Sequence, residues 1–124
     1  MQNRPFRFGP VALTSTLTTN ILNTGTGAMA TPPVGYTDMN RYIILRHIRI
    51  VNKTAASATF SLYLGATGAN AAGTEIIGLG LSVPAYSAFD WYGYLRMDAA
   101  DFLVGGAGTA TALTIDGEGE IGCA

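Results

Sequence analysis

The stretch Tyr42-Ile43-Ile44-Leu45-Arg46-His47-Ile48-Arg49-Ile50-Val51 decides how the rest of this chain is read. Its first four residues are apolar without interruption, which calls for burial on both faces. After Leu45 the pattern alternates, with Ile48 and Ile50 on one side and His47, Arg49 and Val51 on the other. A period of two, carried largely by β-branched residues, is a strand. Strict register would set Arg46 beside Ile44 and Ile48. The pattern therefore predicts either a bulge near Arg46 or an arginine paired at an interface.

Downstream, Asn52-Lys53-Thr54 supplies a turn, and Ala58, Phe60, Leu62 and Leu64 alternate with Thr59, Ser61 and Tyr63. This predicts a half-buried strand in a hairpin with the first. Residues 65–73 lack periodicity and read as a loop. Glu75 to Val83 resumes a strand in which Gly78 and Gly80 allow a bulge or close approach, and Pro84-Ala85-Tyr86-Ser87 turns the chain. Between Ala88 and Met97, Phe89, Trp91 and Leu95 share a face with Gly93, and Tyr92, Tyr94 and Arg96 share the other. Asp98 to Asp101 reads as a tight or one-turn helical cap. Phe102-Leu103-Val104 is a short strand, and residues 105–108 a flexible turn. In the last strand Thr111, Leu113, Ile115 and Ile121 face inward, opposite Asp116, Glu118 and Glu120.

Upstream, Arg4-Pro5-Phe6-Arg7-Phe8-Gly9-Pro10 cannot form a helix. Val11 to Leu22 holds one or two short strands, and Asn23 to Gly27 and Thr31 to Gly35 are breaks. Residues 1–41 are therefore expected to be an extended N-terminal arm. Residues 42–124 are expected to form one all-β domain, a β-sandwich or jelly roll. About seven or eight strands are expected in all.

Composition narrows the possible roles. The 124 residues suit one domain; 48% are hydrophobic and only 12% charged, against about 25% in an ordinary soluble domain. So sparse a charge implies that much of the exterior is covered by other chains. Seven basic against eight acidic residues leave no footprint for a nucleic-acid backbone. No apolar run approaches the ~20 residues of a membrane helix, and residues 1–10 have no apolar stretch of the kind a signal peptide carries. A single cysteine, Cys123, allows no internal disulfide.

The order of His47-Ile48-Arg49-Ile50-Val51-Asn52-Lys53-Thr54, Ala58-Thr59-Phe60-Ser61-Leu62-Tyr63-Leu64-Gly65, Val83-Pro84-Ala85, Trp91-Tyr92-Gly93-Tyr94-Leu95 and Asp116-Gly117-Glu118-Gly119 resembles small bacteriophage virion proteins. Members of that group decorate capsids, form head-fibre bases, or occur in necks and tails. The resemblance spans residues 42 to 121. It implies a structural protein on the capsid surface, assembled in the host cytoplasm. Such a protein would be a homo-oligomer, often a trimer, whose terminal arm clamps the major capsid protein or another virion subunit. On that reading Arg4, Phe6, Arg7, Phe8, Arg46 and Arg49 are the interface residues, with Phe6 and Phe8 buried in neighbouring chains. A neck or tail ring protein and a glycan-binding module using exposed tyrosines are the alternatives.

Nothing in the sequence assembles a catalytic site or calls for a cofactor. His47 is the sole histidine and sits between arginines in a strand, without a nucleophile motif. Cys123 lacks an electropositive setting. Asp116, Glu118 and Glu120 form a carboxylate row that is either solvated, docked on a neighbour's arginines, or a divalent-ion site at a symmetry axis. Gly78-Leu79-Gly80 lacks the third glycine and helix of a dinucleotide loop. Asn52-Lys53-Thr54 matches a glycosylation sequon but reads as a turn.

Overall fold

A computed structural model of the chain describes residues 3–23, 41–66, 73–98 and 101–123. They form eight strands: β1 (Arg4–Ala12), β2 (Asn20–Asn23), β3 (Arg41–Asn52), β4 (Ala58–Ala66), β5 (Glu75–Val83), β6 (Ala88–Met97), β7 (Asp101–Ala107) and β8 (Leu113–Cys123). The first sheet has the order β1-β8-β3-β6 and the second β2-β7-β4-β5, with every pair antiparallel. This is the double sheet of a jelly roll. The expected breaks within residues 24–40, and most of the expected loop after β4, lie outside the described residues.

β3 organises the first sheet, and its bulge falls where the sequence places it. Leu45 pairs with Gly119 of β8, and His47 with the next residue, Glu118, so Arg46 is the extra residue. The insertion resets the alternation: Ile43 and Leu45 face the core before it, and Ile48 and Ile50 after it. Ile44 is buried on the outer side, opposite Arg96 and Glu120. The run from Ile43 to Leu45 is thus covered on both faces.

β4 does not form a hairpin with β3. It crosses to the second sheet, where it lies between β5 and β7. Asn52, fully buried, fixes that crossing. Its Nδ2 donates to the carbonyls of Ala56 (2.8 Å) and Val83 (3.0 Å), and its Oδ1 accepts from the Thr54 amide (2.9 Å) and hydroxyl (2.7 Å). With every polar group of its amide engaged, the sequon asparagine is a structural bracket.

The N-terminal region differs most from its sequence reading. Arg4–Ala12 is an edge strand on β8, and Phe6 and Phe8 are core residues of this same chain, 7% and 2% exposed. Their cross-strand partners are Gly119 and Gly117. The Phe8 ring lies so close over Gly117 that a Cβ there would come within 2.5 Å of it. Gly117 thus makes room for the Phe8 ring, whereas a Cβ on Gly119 would strike the Ile44 carbonyl of β3. An extra residue at the Gly9–Pro10 cis peptide shifts the register before Val11 pairs with Ile115. Phe6 and Phe8 are therefore not available to neighbouring chains.

Two smaller expectations also change. Gly105 and Gly106 belong to β7 rather than to a turn, since a Cβ at either would strike the carbonyl of Ser61 or of Thr14. Thr111 lies exposed in the turn before β8.

Candidate functional site

The outer face of the first sheet gathers the chain's scarce charge. Four of the six arginines, Arg7, Arg46, Arg49 and Arg96, take outward positions on its strands, whereas Arg4 and Arg41 share the alternation of core-facing Phe6 and Ile43. The Arg46 bulge divides this face in two, because it turns both Arg46 and His47 outward where regular pleating would show only one.

One half is built from β1, β8, β3 and the start of β6. His47 stands with Asp90 Oδ1 at 2.7 Å from Nε2 and Glu118 Oε1 at 3.4 Å from Nδ1, so a carboxylate faces each ring nitrogen. The Tyr92 ring stacks on the imidazole, with centroids 4.5 Å apart and planes 6° from parallel. Arg49 Nε reaches Asp90 at 3.5 Å. Beside this cluster lies an open depression of about 220 Å³ lined by Arg7, His47, Arg49, Asp116, Gly117 and Glu118. Among the described residues no serine, threonine or cysteine lines it.

The other half carries arginine–tyrosine pairs. Arg46 lies over the Tyr94 ring at 5.2 Å and bonds Glu120 at 2.9 Å. Arg96 lies over the Tyr42 ring at 4.2 Å and bonds Asp98 through Nε at 2.9 Å. That bond, more than any other influence, raises the guanidinium's already high pKa. The Tyr42 hydroxyl donates to Asn3 Oδ1 at 2.9 Å, with its ring laid over Gly122. Tyr92 and Tyr94 remain largely exposed, at 73% and 60%.

Of the residues expected at an interface, Arg7, Arg46 and Arg49 meet on this face. Arg4 lies exposed at the start of β1, and Phe6 and Phe8 point the other way, into the core. The carboxylate row finds its neighbours within the chain. Glu120 bonds Arg46, Glu118 contacts His47, and Asp116 lies opposite Arg49 in the β3–β8 register. Among the described residues no three His, Cys, Asp or Glu stand close enough to hold a metal ion. The Asp101 amide donates to the Asp98 carbonyl (3.0 Å), and Asp101 Oδ2 accepts from the Asp98 amide (2.9 Å); residues 99 and 100 of the expected turn lie outside the described residues. Sequence reasoning did not bring Asp90, Tyr42 and Arg96 into the site. The alternation of β6 put Arg96 with Tyr92 and Tyr94, but the cross-strand register that supplies their partners is not visible locally.

No helix among the described residues is long and apolar enough to cross a membrane. Comparisons with protein-family models, with curated proteins and with solved structures return no match.

Proposed function

We propose that this chain is a structural protein of a bacteriophage virion, an oligomeric decoration (cement) protein that binds the assembled capsid and clamps neighbouring shell subunits. The observation that carries the reading is the outer face of the first sheet, where Arg46, Arg96, Tyr42, Tyr92 and Tyr94 form an open array of guanidinium and phenol groups. Arginine and tyrosine are the residues that most often dominate binding at protein interfaces. Their ion pairs and ring contacts hold these side chains in place, which lowers the ordering cost of docking.

Two further facts agree with this reading. The jelly-roll order recurs in viral capsid domains, although one fold serves many functions. A chain with 12% charged residues and a net charge of −1 has little repulsion to keep its copies apart. The reading replaces a clamping arm with a clamping face, since Phe6 and Phe8 are occupied internally. It assigns the protein no catalytic role and no cofactor.

The test is the copy number of the chain in purified virions, by quantitative mass spectrometry against the major shell subunit. A decoration protein is present in fixed proportion to that subunit, as closed shell symmetry demands. A few copies per particle would move it to the neck or tail, and absence from particles would end the virion reading.

A further inference from the structure

The four sheet edges are not equivalent. β1 carries Pro5 and Pro10, and β2 is only four residues long. β5 is broken by an insertion, since Phe60 pairs with Leu81 but Leu62 with Ile76, with Ile77, Gly78 and Gly80 at positive φ. Prolines, shortness and bulges are the devices that stop an edge from recruiting another strand. β6 is ten residues long and has no proline, and among the described residues it is paired on one side only, with β3. Its one irregularity is a single extra residue at Gly93 or Tyr94, its midpoint, and the stretches Ala88–Tyr92 and Leu95–Met97 on either side pair with β3 without interruption.

The sequence of β6 is chemically symmetric about that glycine. Turned antiparallel on a copy of itself with Gly93 at the centre, it sets Asp90 against Arg96, Tyr92 against Tyr94, Trp91 against Leu95 and Phe89 against Met97. Each pairing joins residues of the same face. The outward set is Asp90, Tyr92, Tyr94 and Arg96, and the inward set Phe89, Trp91, Leu95 and Met97, all in or packed against the core. Opposite charges therefore meet at both ends and aromatic rings near the middle, the combinations that favour antiparallel neighbours. Gly93, over which the Trp91 indole of its own chain lies, brings no side chain to the axis.

We infer that β6 is a self-association edge: two copies pair antiparallel through β6 about a two-fold axis at Gly93 and form one continuous eight-stranded sheet. This rests only on the oligomeric part of the proposed function and needs no capsid. The contact is isologous, so each copy supplies both halves of every pair. It also joins two arginine–tyrosine faces side by side, which gives the dimer a doubled docking surface.

Charge reversal tests the pairing in trans. In sedimentation experiments on the purified chain, wild type is expected to dimerise. Asp90→Arg and Arg96→Asp are each expected to weaken the dimer by about tenfold or more, the scale of a lost charge pair. An equimolar mixture of the two variants should form heterodimers, and the double variant should recover the homodimer. Tyr94→Lys, which alters no ion pair, should also weaken the dimer and substitutes for Asp90→Arg if loss of the His47 contact unfolds that variant. A wild-type chain that is monomeric or forms odd-numbered rings would overturn the inference. So would single variants that dimerise undiminished, or a mixture that stays monomeric. Virion copy number is read separately, so failure here leaves the capsid reading standing, and the reverse.

Discussion

The outer faces of the two sheets are opposites. On the first, the Arg46–Glu120 and Arg96–Asp98 ion pairs and the arginine–tyrosine contacts between described residues stand open to solvent, beside a more enclosed contact between His47 and Asp90. On the second, Ser61 and Tyr63 alternate with core-facing Phe60 and Leu62, yet they are buried, and so is Val104. The chain covers this face with its own backbone. Gly80 of the β5 insertion donates to Ser61 Oγ at 2.9 Å, and the carbonyls of Thr14 and Thr16 lie over Gly106. A protein with so few charges has closed one surface with uncharged loops and gathered most of its described ionic groups on the other. The open face is the one a partner can reach.

The comparison can be broken or sharpened by substitution, beginning with the largest effect. Phe8→Ala removes a ring that is 2% exposed and seated on Gly117, and should cost about 3–5 kcal/mol in denaturant unfolding. A free arm would show almost no change. Tyr63 and Tyr94 then form a matched pair, both outward on opposite sheets but 5% and 60% exposed. Tyr63→Ala should cost about 3 kcal/mol, and Tyr94→Ala no more than about 0.5 kcal/mol. Equal losses would erase the distinction between the faces. A similarly small effect is expected at Arg46, whose bond to Glu120 is solvent-screened: Arg46→Ala should change stability by about 0.5 kcal/mol or less.

The strands that could be read from sequence are those whose pattern is self-sufficient. The spacing Ile43-x-Leu45-x-x-Ile48-x-Ile50 contains the bulge, because one extra residue is needed to keep all four side chains in one core. The faces of β4 and β6 follow from simple alternation. β1 was hidden for the opposite reason. Its two phenylalanines pair with glycines more than a hundred residues away, and Asp116-Gly117-Glu118-Gly119-Glu120 shows no apolar face to suggest a partner. The β3–β4 crossing was equally obscure, since a short turn ordinarily means a hairpin and only the four hydrogen bonds of Asn52 show where this one leads. The site was legible as residues but not as pairs. Arg7, Arg46 and Arg49 were identifiable, whereas their carboxylate and phenol partners depend on sheet order.

The most direct test of the account is cosedimentation of the purified protein with phage shells stripped of it, using one charge change on each face. Arg46→Glu alters the open face of the first sheet, and Leu79→Glu alters an exposed position on the β5 insertion of the second. The account predicts that Arg46→Glu abolishes shell binding in a folded protein while Leu79→Glu binds as wild type. Retained binding by the first variant, or loss confined to the second, would contradict it.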